Sequence, residues 1–130
     1  MKSSMGVLGA LVMLTGSAQS ASANWFVTDV KQIANDSGAI VQIINQENHN
    51  DDRQVAAQSI ANTGALWVSW HSDKPLEIKT EHNDYLIYQE GEHLFISSDG
   101  GRTWTRWEDA KRNLIIVVTH DEHLLVQDAP

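Results

Sequence analysis

From Ala65 onward the chain is written as short runs, and their length is what most limits the folds open to it. ALWVSWH, LEIKTEH, YLIYQ, HLFIS, TWTRW, LIIVVT and HLLVQ are separated by SDKP, EGE, SDGGR, EDAKRN and HDE. Runs this short, rich in β-branched and aromatic residues and bounded by turn formers, favour strands over helices. Leu66, Val68 and Trp70 alternate against Trp67 and Ser69, and Leu76, Ile78 and Thr80 against Glu77, Lys79 and Glu81. Strands joined by a few residues run antiparallel. Residues 64–130 are therefore expected to form an antiparallel meander of about six or seven strands. An internal echo supports repeated hairpins: YLIYQEGEHLFIS (Tyr85–Ser97) aligns with IIVVTHDEHLLVQ (Ile115–Gln127) at an offset of 30.

Residues 24–63 carry a different pattern. In TDVKQIANDSG, Thr28 or Asp29 can cap a helix that carries Val30, Ile33 and Ala34 on one side and ends at Ser37-Gly38. Ala39–Ile44 is a β-branched run whose periodicity alone does not separate strand from helix. In Asp51–Asn62, Val55, Ala56, Ser59 and Ile60 recur at helical spacing, with Gly64 as a stop. The expected fold class is α+β, with one or two N-terminal helices packed on the meander.

The chain opens on Lys2, continues into an apolar run from Gly6 to Leu14, and reaches Ala21-Ser22-Ala23. This is the order of a secretory signal peptide over 1–23 with cleavage before Asn24, and the apolar run is far below the roughly 20 residues of a membrane span. No stable membrane anchor is expected. Residues 24–130 are the length of one small domain. Cysteine is absent, so an oxidising compartment is allowed without being used for crosslinks. These features together suggest a periplasmic or secreted protein. The net charge is -8, and removal of Lys2 with the leader takes it to -9. Such a balance disfavours phosphate backbones and anionic lipid and suits a cationic protein partner.

One stretch combines turn chemistry with large aromatics. In Ser97-Ser98-Asp99-Gly100-Gly101-Arg102-Thr103-Trp104, two adjacent glycines can take positive φ, the Asp99 carboxylate can close onto following backbone N–H groups, and Trp104 can cover the bend. The stretch resembles the Asp-box (S-x-D-x-G-x-T-W), the hairpin of bacterial neuraminidase (BNR) repeats found in sialidases and other Asp-box propellers. In those families the box lies away from the active site. The resemblance thus implies structural roles for Ser97, Asp99, Gly100, Gly101, Thr103 and Trp104. It covers one hairpin. Propellers use at least four blades of roughly 40–45 residues, more than this chain holds. Asp boxes also occur in small secreted ribonucleases of the barnase type, which the segment resembles in outline. There a catalytic histidine directly follows the box aspartate, where this chain has Gly100.

Other polar groupings read as surface. The His120-Asp121-Glu122-His123 turn could gather zinc ligands, but residues three apart in a hairpin turn need not converge. Asn48–Asp52 places oxygen donors alternately, yet Arg53 stands where a calcium loop requires glycine. Glu77 and Glu81 would be neighbours on a strand face. Neither a metal nor a cofactor is expected. Trp67/Trp70 and Trp104/Trp107 are each three apart, so on strands each pair should divide between opposite faces. Trp70, Arg102, Arg106 and Trp107 are the candidate partner-binding residues. With no catalytic set evident, the expected function is non-enzymatic protein binding, as by a periplasmic inhibitor or immunity protein. The alternatives are a small hydrolase, in which His82, His93 or His123 meets Glu77, Glu81 or Glu90, and a blade-like assembly component.

Overall fold

A computed structural model describes residues 26–130, so the 1–23 leader expected from the sequence lies outside the described residues. The strands are β1 (Asp29–Asn35), β2 (Val41–Asn45), β3 (Arg53–Val55), β4 (Ser59–Asn62), β5 (Leu76–Lys79), β6 (Asp84–Glu90), β7 (His93–Ser97), β8 (Thr105–Asp109), β9 (Asn113–Val118) and β10 (Leu124–Asp128). They form a four-stranded sheet in the order β10-β9-β1-β4 and a six-stranded sheet in the order β3-β2-β5-β6-β7-β8. Val30, Ile33, Leu114, Ile116 and Val118 from the smaller sheet join Val41, Ile43, Leu76, Ile78, Ile87 and Leu94 from the larger in one buried cluster. The fold is thus a two-sheet sandwich. Among the described residues no helix is long and apolar enough to cross a membrane.

The expected α+β class is therefore wrong, and the N-terminal helices are strands. The first misreading has a specific cause. The register of β1 against β9 shifts between Val30 and Gln32, a bulge that leaves Lys31 extra. Inserting one residue lets Val30 and Ile33, three apart, both face the core. That spacing imitates one face of a helix. Asp29 does not cap a helix; its Oδ1 accepts from the Leu66 N–H at 3.1 Å and its other oxygen lies 2.7 Å from Lys31 Nζ.

The second expected helix, Asp51–Asn62, is a single 3-10 turn at His49–Asp51 followed by β3 and β4. Gln58, with φ of 57°, breaks the chain between the two strands. Its side-chain amide donates to the carbonyls of Asp36 and Ser37, both at 3.1 Å, which holds this strained residue in place. Val55 and Ile60 consequently separate: Val55 is buried in the larger sheet, while Ile60 is 65% exposed on the smaller.

The single meander is also corrected. β5 to β8 follow one another by antiparallel pairing, but β9 leaves for the other sheet and lies parallel to β1. The crossing is pinned where both strands start, by the Asp29 N–H on the Arg112 carbonyl (3.2 Å) and the Lys111 N–H on Thr28 Oγ1 (3.2 Å). The two echoing segments fall on the β6–β7 and β9–β10 hairpins, in different sheets.

Among the described residues the run ALWVSWH makes one isolated bridge, Asp29 with Trp67. It closes one side of the sandwich by bonding to both sheets. The Val30 N–H donates to the Leu66 carbonyl (2.8 Å), the Val68 N–H to that of Thr28 (2.9 Å), and the Gln89 N–H of β6 to that of Ser69 (2.8 Å). Leu66 and Val68 are buried beneath it.

Candidate functional site

The closing segment forms one wall of a cavity of about 420 Å³. Trp67 projects outward because the residues on either side of it are core anchors. Strict alternation would put Trp70 opposite it, three residues on. Instead Ser69 is buried and its Oγ accepts from the His71 N–H at 3.0 Å, a tight local turn that ends the alternation. Trp67 and Trp70 are 49% and 42% exposed and line the same cavity, with Val27 and Val68. The expectation that this pair divides between opposite faces is thus overturned.

The loop after β2 also lines the cavity. Asn45 is buried, and it organises that loop as a hub. Its Oδ1 accepts from the N–H groups of Glu47 (3.1 Å) and Asn48 (3.3 Å), its Nδ2 donates to Asp51 Oδ2 (3.3 Å), and its own N–H donates to Asp52 Oδ1 (2.7 Å). Asn48 caps the 3-10 turn by accepting from the Asn50 N–H at 3.1 Å. Glu47 and Asp51 are thereby presented to the cavity from an ordered loop, with His71 Nε2 3.5 Å from Glu47 Oε2. Two tryptophans and two acidic residues lining one concavity suit an ammonium or guanidinium group, for which cation–π and ion-pair attraction add.

The 97–104 turn spends its polar groups on itself. The Ser97 hydroxyl donates to Asp99 Oδ1 (2.7 Å) and accepts from the Gly101 N–H (2.9 Å). Asp99 accepts from the Thr103 N–H (3.0 Å) and hydroxyl (2.6 Å). The Thr103 hydroxyl, then its N–H and the Ser97 hydroxyl, hold the Asp99 carboxyl down at about 2. Gly100 and Gly101 have φ of 77° and 90°, and a Cβ on Gly101 would lie 3.6 Å from Trp104 and 3.7 Å from Leu86. Trp104 meets Tyr88 edge-on, centroids 4.7 Å apart, on the outer face of the larger sheet. Trp107, by contrast, packs against the core. Arg102 is exposed in the turn and Arg106 on β8, 3.9 Å from Asp109. Of the four candidate partner-binding residues only Trp70 lines the cavity. Arg102, Arg106 and Trp107 belong to the β7–β8 hairpin and its turn.

Of the histidine–carboxylate pairs expected of a hydrolase, His82 has Glu81 beside it, their donor atoms within 4.8 Å, and His93 stands opposite Glu90 in the β6–β7 register, at the two ends of β6. His82 lies in the turn before β6 and His93 just after the turn that ends it, so the seven residues of β6, roughly 20 Å of strand, separate them. His93 Nδ1 is buried without a hydrogen bond, 3.4 Å from Asp109 Oδ1. Glu77 instead neighbours Asp84 across the β5–β6 ladder. Partial burial, then the hydrogen bond and charge of Glu77, push the Asp84 carboxyl up to about 6.

Glu122 ties the two sheets at the end opposite His93. Its Oε1 accepts from the Thr80 hydroxyl (2.6 Å) and the His82 N–H (2.8 Å), and its Oε2 lies 2.8 Å from His82 Nδ1. Its carbonyl accepts from the Tyr85 hydroxyl at 2.7 Å. Donor atoms of Glu81, His82 and Glu122 lie within 4.8 Å of one another. Both oxygens of Glu122 are already bonded, so the group works as a clasp between turns. The Thr80 hydroxyl, then the His82 N–H and ring, lower the Glu122 carboxyl to about 2, and Glu122 raises His82.

These directions set the pH dependence. The lowered carboxyl contributes stability that is whole above the ordinary carboxylate range and lost as pH falls through about 2. The raised imidazole contributes below its ordinary 6.5, and that share is lost as pH rises through its folded value. The clasp is strongest between these limits, in mildly acidic solution. An NMR titration should place the His82 imidazole above its ordinary value and move it back toward that value in Glu122→Gln, with Glu81 still holding it up. An unchanged titration in the variant would remove the ion pair from the clasp.

Fold and cavity together define a class: an all-β sandwich with an aromatic and acidic cleft closed by an irregular segment. No family model, curated protein or solved structure matches the chain. Sequence reasoning singles out Trp70 but misses Glu47, Asp51 and His71 as its companions. Nothing local marks them, because the loop after β2 meets the tryptophans only through the packing of the two sheets.

Proposed function

We propose that this protein is an exported, non-enzymatic binding domain that takes a basic side chain of a protein partner into the Trp67/Trp70 cleft. The observation that carries this reading is that two half-exposed tryptophans line one cavity together with Glu47 and Asp51. The net charge of -8 adds long-range attraction for a cationic surface. An inhibitor or immunity role is the form of binding that fits a small, acidic domain with a leader.

The test is titration with an arginine- and lysine-rich peptide, followed through the indole N–H signals of Trp67 and Trp70, beside an acidic peptide of equal length. The basic peptide should shift both signals, with an affinity that falls as salt rises. Replacing Glu47 by Gln and Asp51 by Asn together should weaken it on the order of tenfold at low salt. If the two indole signals stay fixed at millimolar basic peptide, the reading fails.

A further inference from the structure

We propose that the protein pairs with a second copy of itself through β10, joining two four-stranded sheets into one across a two-fold axis at Val126. β10 is an outer strand of its sheet. Its ladder to β9 is bracketed by the Thr119 N–H on the His123 carbonyl (2.8 Å) and the Ala129 N–H on the Asn113 carbonyl (3.3 Å). Between them the register pairs Leu125 with Val117 and Gln127 with Ile115. Antiparallel bonding alternates, so Leu125 and Gln127 bond inward to β9, and the N–H and C=O groups of Leu124, Val126 and Asp128 point off the edge. Such a row accepts an extended strand.

The other edges are guarded in the ways that discourage such pairing. β8 carries Arg106, Glu108 and Asp109 and has an irregular register at Leu94/Phe95. β3 has three residues and β4 four. β10 has five in regular register, no charge from Leu124 through Gln127, and a Leu125 that is 52% exposed.

Charge and symmetry select a second copy as the occupant. On a chain of net charge -8, two copies approach with least repulsion where the surface is uncharged. Antiparallel pairing about Val126 sets Val126 against Val126 of the second copy and Leu124 against Asp128 of the second copy, each pair able to exchange two backbone bonds. The two Asp128 side chains stay apart, and each has its own Lys111 at 3.4 Å. On the outer face, Leu125, Val117, Ala34 and Ile60 form a lateral row across all four strands, and the junction covers its exposed Leu125 end with Gln127 of the second copy.

Sedimentation equilibrium from micromolar to millimolar protein tests this. The expected result is a mass rising to twice the monomer with concentration. Val126→Pro deletes the central outward N–H, which the fold itself does not use, and proline is tolerated on edge strands. It should weaken pairing at least tenfold in a protein that still folds, at some cost in thermal stability because the Val126 side chain packs against the core. Leu125→Lys should weaken it as well. A parent that stays monomeric at millimolar concentration, or a folded Val126→Pro protein that pairs undiminished, overturns the proposal. Should Val126→Pro fail to fold, amide exchange on the parent decides: protection of the Val126 and Asp128 amides must grow with concentration, and protection independent of concentration overturns it.

Discussion

Replacing Gln89 by leucine is expected to destabilise the protein by about 2–4 kcal/mol, although leucine suits a sandwich core by size and polarity. Gln89 is buried. Its Oε1 accepts from the Thr28 N–H at 2.9 Å, and its Nε2 donates to the carbonyls of Phe26 (2.8 Å) and Gly91 (2.9 Å). Leucine would leave the fully buried Thr28 N–H unpaired, and carbonyls beside it short of a donor. At about 1–3 kcal/mol for each buried group so stranded, the gain from added apolar surface does not compensate. The denaturation midpoint should fall with an unchanged slope, and Tm should drop on the order of 10–20 °C. A loss below about 0.5 kcal/mol would mean that water replaces the amide and that Gln89 is not the tie described. Because the Gln89 side chain holds residues 26–28, the same variant should loosen the part of the cleft wall that carries Val27, while the backbone bond from residue 89 to Ser69 is kept.

The Trp67→Ala/Trp70→Ala double variant is expected to lose about thirtyfold or more in affinity for the basic partner or peptide, on the order of 2 kcal/mol, in a protein that remains folded. Both indoles are close to half exposed, and the residues that anchor their segment are Leu66 and Val68. Truncating the indoles therefore removes aromatic surface that lines the cavity while Leu66 and Val68 stay in the core. The loss should appear mainly as faster dissociation. Neutralising Glu47 and Asp51 should instead slow association and flatten the salt dependence. If the tryptophan variant binds as the parent does, charge alone holds the partner and the cleft is not its seat. If it unfolds, the indoles are structural and the cleft assignment falls.

The strands from Leu76 onward are legible in the sequence because each carries its periodicity by itself. Leu76 and Ile78 alternate with Glu77 and Lys79 because one face of β5 is core and the other is not. The bonds of the 97–104 turn join residues two to four apart, so their donors and acceptors stand side by side in the chain. Before Leu76 the same reasoning misleads. The bulge at Lys31 and the positive φ of Gln58 each change which residues share a face, and neither leaves a mark in the alternation. Those features are stabilised by partners elsewhere in the chain: β9 for the bulge, Asp36 and Ser37 for Gln58. An apolar pair three apart is ambiguous until the partner strand is known.

What the sequence determined by itself was local: strand length, turn chemistry, acidity, and the supply of tryptophans and carboxylates. The tertiary structure alone decided that β9 would desert the meander to lie along β1, and that Glu47 and Asp51 would line one cavity with Trp67 and Trp70. The reason is physical. Strand periodicity and turn bonds depend on neighbours a few residues away, whereas the cleft depends on two sheets burying their apolar faces against each other, a choice among pairings that no single segment encodes.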